Sequence, residues 1–168
     1  MARAPSKLMP ATTDIVATYK GPRRAFARIL STGQREDRAL MILMVGCTIA
    51  FVARWPVLAR QAHLEGIELN MLLGGTLMAW LFIAPLVFYG LAALTHLLAK
   101  LVRGKGDWYG ARIALFWSFL AASPLLLLNG LIEGFVGPGP GLQIVGFLWF
   151  AIFIWFWLSG LIEAERGT

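Results

Sequence analysis

The sequence predicts an all-α membrane protein: a polytopic transmembrane helical bundle of four spans, with an N-terminal amphipathic interfacial helix. Three observations carry that prediction. The 168-residue chain is 58% hydrophobic and only 14% charged, whereas soluble domains average about 45–50% apolar and about 25% charged. Four apolar runs approach or exceed the roughly 20 residues that cross a hydrocarbon core about 30 Å thick. Basic residues gather in alternate connections between those runs, the pattern that orients helices in a bilayer.

Residues 1–38 read as a basic cytoplasmic segment. The opening MARAPSKLMPATTD mixes charge, proline and polar residues and has no apolar core for a cleavable signal, so the first span is expected to direct insertion. From Asp14 to Leu30, apolar residues recur at helical spacing with Lys20, Arg23, Arg24 and Arg28 between them. Gly21-Pro22 breaks this run in two. Proline suits the first turn of a helix, so a short amphipathic helix is expected near residues 22–30, lying on the cytoplasmic leaflet. Its Arg23, Arg24 and Arg28 are candidate contacts for anionic lipid, and the same charges serve as a topology signal. No reader motif accompanies them, so nucleic acid is not an expected partner.

The membrane domain covers residues 39–162. Its first span, about 39–59, ends near Arg54, whose long side chain can reach the headgroups beside Trp55. Cys47 is the only cysteine and lies among small and apolar neighbours, so it reads as a packing residue and no intrachain disulfide can form. The second span, about 71–98, has 28 residues and would extend roughly 42 Å, so tilt or a bend at Pro85 must absorb the excess. The third, about 111–132, and the fourth, about 142–162, have the right length. The fourth is apolar all round and rich in Trp and Phe, which suits lipid or packed neighbours rather than water. Residues 163–168 are a short tail. The N-terminal segment and the loop edged by Lys100, Arg103, Lys105 and Arg112 are the basic connections, so both termini are expected in the cytoplasm and the GPGPG run outside.

Motifs that would carry chemistry fail on context. GFVGPGPGLQ lacks the lysine of a phosphate-binding loop, and Pro138 and Pro140 remove amide donors, so it reads as a turn. Gly104-Lys105-Gly106-Asp107 resembles the Gly-x-Gly-Asp of intramembrane aspartyl proteases, but that chemistry needs two adjacent carboxylates and no other aspartate falls in a span. His63, Glu65 and Glu68 do not have an established zinc spacing. Ser118, Ser123 and Ser159 have ordinary uses, bonding a carbonyl one turn back or bridging helices. No enzyme activity, metal or cofactor is therefore expected.

What remains is a set of groups at membrane depth, where ionisable residues are costly and point to function. His96 lies near the inner end of the second span. Asn129 and Glu133 are four apart near the outer end of the third, hence on one face, and Gly130 and Gly134 share a spacing that lets helix backbones approach. The expectation is a tight helix contact fixed by a polar bond from Asn129 and Glu133 to another span or subunit. Exposure of Glu133 to headgroups is the alternative.

The run HLLAKLVRGKGDWYGARIALFWSFLAASPLLLL, His96 to Leu128, resembles the Yip1 family in its His-Leu-Leu span end, its Gly-Lys-Gly loop and its intraspan Pro124. PRRAFARIL and the closing FLWFAIFIWFWLSGLIEAE are also similar to small bacterial members, so the resemblance extends from Tyr19 onward. It implies a helical bundle with no known catalytic site, in a bacterial inner membrane. Eukaryotic relatives engage Rab GTPases and usually have five spans and a longer polar N-terminal region. This chain departs on both counts, so no GTPase partner follows.

The function expected is a non-enzymatic membrane-organising or interaction component, with the lipid bilayer and a membrane-protein partner or second copy as its contacts. A small oligomeric transporter or channel subunit is the alternative, although no span carries a line of charges.

Overall fold

A computed structural model describes residues 11–101 and 104–166, and every described regular element is helical. Two short helices, α1 (Ala11–Lys20) and α2 (Pro22–Ser31), precede four long ones. These are α3 (Glu36–Glu65), α4 (Leu69–Leu101), α5 (Trp108–Phe135) and α6 (Pro140–Glu165), each long and apolar enough to cross a membrane. The protein is an integral membrane helical bundle. The chain runs up and down, so α1, α2 and the α4–α5 loop share one end of the bundle, called here the collar end. The α3–α4 and α5–α6 connections share the other, the turn end.

Local sequence explains the boundaries. Gly21 separates α1 from α2, and Pro22 occupies the first turn of α2. Asp107 caps α5 by accepting from the Gly110 amide at 2.7 Å, which gives the aspartate of the Gly-Lys-Gly-Asp run a structural role. At the turn end Gly137 takes φ +92°, a left-handed conformation in which a side chain is strained, and Pro140 opens α6. The helices outrun their apolar cores: α3 has 30 residues and α4 has 33. In α4, the excess length coincides with a π-helical turn at Ala79–Ile83, where the Ala84 amide bonds Ala79, immediately before Pro85. A wider turn here suits a residue that has no amide to donate.

The core forms around α5. Its Ile113, Leu115, Phe116 and Ala121 are wholly enclosed, and α3 contributes Leu43, Cys47 and Ala50. Cys47 thus packs as expected. Gly46 of α3 lets Phe119 approach so closely that an added Cβ would lie 2.8 Å from its ring. α6 adds Phe153 and Phe156 to the core and turns Trp155, Phe147 and Phe150 outward. α4 buries only Pro85, Ala92 and His96 fully, and half-buried Trp80, Phe88 and Tyr89 beside them meet the Phe119 and Phe116 rings of α5.

Candidate functional site

Polar groups concentrate at two levels of the bundle. At the turn end α3 and α5 cross at close range. A Cβ on Gly130 would stand 1.9 Å from the Ala53 carbonyl oxygen, and one on Gly134 would stand 2.4 Å from the Pro56 ring. The two glycines are therefore the contact surface itself. Beside them, the Arg54 guanidinium donates to Glu133 Oε2 at 2.9 Å, and Arg60 reaches the Gly134 carbonyl at 3.4 Å. Pairing cancels two charges that are each expensive at membrane depth.

The expected polar contact is thus present, with a different arrangement. Glu133 bonds α3 through Arg54, whereas Asn129 donates to the Leu142 carbonyl of α6 at 3.3 Å. One face of α5 serves two neighbours. Arg54, expected to snorkel to headgroups, is the partner of Glu133 instead, although both side chains keep partial exposure, 39% and 28%. Pro124 lies on the exposed side of α5. His96 is 1% exposed, its ring centroid lies 4.2 Å from that of Trp108, and neither ring nitrogen has a hydrogen-bond partner among the described residues.

At the collar end, α2 was expected to rest its apolar face on the leaflet, and it rests that face on protein. Phe26 is fully buried against Gly160 of α6, where a Cβ would be 2.6 Å from the ring. α1 docks as well. The Trp117 indole of α5 donates to Thr18 Oγ1 at 3.0 Å in a buried contact, and the Tyr19 ring meets the edge of Phe156 at 4.9 Å. Burial raises the Tyr19 phenol above its ordinary range, which keeps it uncharged there.

The collar cations divide into two sets. Arg28 pairs with Asp14 at 2.8 Å, and Arg112 pairs with Glu36 at 2.5 Å. Lys20, Arg23 and Arg24 are exposed and make no ion pair or hydrogen bond among the described residues. They edge an open cavity of about 1060 Å³ between the α1–α2 elbow and α6.

The α4–α5 loop closes this end. The Gly106 amide donates to Glu165 Oε2 at 2.8 Å, and a Cβ on Gly104 would fall 2.0 Å from that same oxygen. The Gly-Lys-Gly run therefore cradles the carboxylate at the end of α6. Gln34 donates to Asp107 and joins the α2–α3 connection to the same loop. Sequence reasoning missed this latch; the paired glycines were its one visible signal.

Among the described residues no group of three His, Cys, Asp or Glu side chains is placed to hold a metal. His63 and Glu65 lie in the last turn of α3 rather than in a loop with Glu68, and Glu65 accepts from Gln61 at 3.2 Å. Ser118 bonds the Ala114 carbonyl one turn back at 2.6 Å. No family model, curated protein or solved structure matches the chain.

Proposed function

We propose that the chain is a non-enzymatic membrane-organising or interaction component of the Yip1 type, which uses α4 to engage another membrane span. The observation that carries this reading is the uncovered state of α4. Only 11% of its most apolar window is buried, although the helix has 33 residues. Gly74, Gly75 and Gly90 all lie exposed, with open space where a Cβ would stand. Small residues on an open face let a second helix approach. The Arg54–Glu133 pair is closed on itself, which favours this role over solute transport. The resemblance of residues 96–128 supports the family class and, with it, a bacterial inner membrane.

The orientation follows the charge. Lys20, Arg23, Arg24, Arg28, Arg35, Arg38, Lys100, Lys105 and Arg112 all belong to the collar end. The positive-inside rule puts that end, and both termini, in the cytoplasm.

One set of single cysteines tests both statements in a Cys47→Ser background. Gly90→Cys should cross-link to a partner span or to a second copy in native membranes. Lys105→Cys and Gly139→Cys should label from opposite sides. Absence of any Gly90 cross-link, together with solute flux through purified protein in liposomes, would replace this reading with a transporter.

A further inference from the structure

We infer that the cavity between the α1–α2 elbow and α6 binds one anionic phospholipid, headgroup against the elbow and acyl chains along α6. Its walls differ in chemistry as such a lipid does. On one side stand Lys20, Arg23 and Arg24; on the other stand Trp155, Leu158 and Ile162 of α6. No acidic side chain among the described residues lines it. Arg28 also borders the cavity, but Asp14 takes up part of its charge, so the three other cations supply the uncancelled field.

Ser159 supplies a hydroxyl to the same lining. The residue is 7% exposed, lines the cavity, and makes no hydrogen bond among the described residues. Ser118 bonds a carbonyl one turn back at 2.6 Å, whereas Ser159, like the buried Ser123, makes no such bond among the described residues, which leaves its hydroxyl able to meet a ligand.

Size and height agree with this occupant. About 1060 Å³ slightly exceeds the roughly 300–1,000 Å³ of small-ligand pockets. Trp155 to Ile162 makes an apolar track about 10 Å long, running inward from the end of the span. The first turn of α2 has no side-chain cap and borders the same space, so its partial positive charge adds to the cations. A zwitterionic lipid would leave that charge uncancelled, which is why a net anionic headgroup is favoured. The inference rests on the collar lying at headgroup height and does not depend on what α4 contacts.

Native mass spectrometry of the full chain, released from mild detergent, tests it with phosphatidylglycerol, phosphatidylcholine and inorganic phosphate as probes. One phosphatidylglycerol should be retained in preference to phosphatidylcholine. Arg23→Gln and Arg24→Gln lie at exposed positions, and each should weaken retention roughly fivefold. Trp155→Ala should weaken both lipids, and Arg60→Gln at the turn end should change neither. Equal retention of the two lipids by the unaltered chain would overturn the inference without any variant. So would displacement of the lipid by inorganic phosphate, which would make the site a simple anion site. The Gly90→Cys cross-link reads α4 separately, so either proposal can fail alone.

Discussion

α4 and α5 are neighbours of similar length with opposite fates. In α5 56% of the most apolar window is buried, and in α4 only 11%. Mean hydropathy over those windows runs the wrong way, 1.8 for the enclosed helix and 2.1 for the open one. In water the more apolar helix would be drawn inside. Lipid tails are as apolar as leucine, so burial in a bilayer is decided by packing and polar contacts. α5 has both. Its Gly130 and Gly134 admit the α3 backbone, and its Asn129 and Glu133 find partners on either side. α4 carries Gly74, Gly75 and Gly90, but among the described residues nothing lies within 4 Å of where their Cβ would stand.

The strongest way to break this comparison is to add bulk to each helix. Gly130→Leu must displace the Ala53 carbonyl, and backbone has nowhere to retreat. The loss should exceed the about 1–3 kcal/mol typical of overpacking, with the α3–α5 contact opened. Gly74→Leu should stay within about 0.5 kcal/mol of the unaltered protein. Thermal unfolding in detergent reads both. A Gly74 variant as damaged as the Gly130 variant would mean that α4 is packed in the isolated protein.

A smaller effect concerns the pair that ties α5 to α3. Arg54→Leu leaves Glu133 charged at membrane depth without a partner and should cost about 2–3 kcal/mol. Glu133→Leu should cost a similar amount. The double replacement should cost less than either single change, because no orphaned charge remains. A double-mutant cycle that came out additive would show that the 2.9 Å contact contributes no coupling.

The sequence made the four spans visible because about 20 consecutive apolar residues are a local signal. It also exposed the Gly21-Pro22 break and the close-approach glycines of α5, which local chemistry marks equally well. Partners were hidden wherever they are distant along the chain. Arg54 and Glu133 are separated by 79 residues, and Thr18 and Trp117 by 99. Arg54 alone near a span end reads as a snorkelling side chain, and nothing local distinguishes it from a paired one. Glu165 is similar. A carboxylate near a C-terminus looks solvated until the backbone of Gly104 to Gly106 is wrapped around it. The resting place of α2 was hidden for another reason: a buried helix face and a lipid-facing one have the same apolar pattern.

The smallest effect tests the thin edge of the comparison, the stripe that holds α4 to the bundle. Pro85, Ala92 and His96 are its buried residues, Trp80, Phe88 and Tyr89 flank them against Phe119 and Phe116, and His96 is the one buried polar side chain among them. Neither His96 nitrogen is satisfied among the described residues, where the ring is held by shape and by its contact with Trp108. Replacing an unsatisfied polar group by an apolar one of similar size is nearly neutral or stabilising. His96→Leu should therefore shift stability by no more than about 1 kcal/mol, whereas His96→Ala, which leaves a void, should cost about 1–2 kcal/mol more. The order of the two melting temperatures in detergent decides the point. If Leu were as damaging as Ala, the imidazole would be making a polar contact that matters, and α4 would be fixed by chemistry as α5 is.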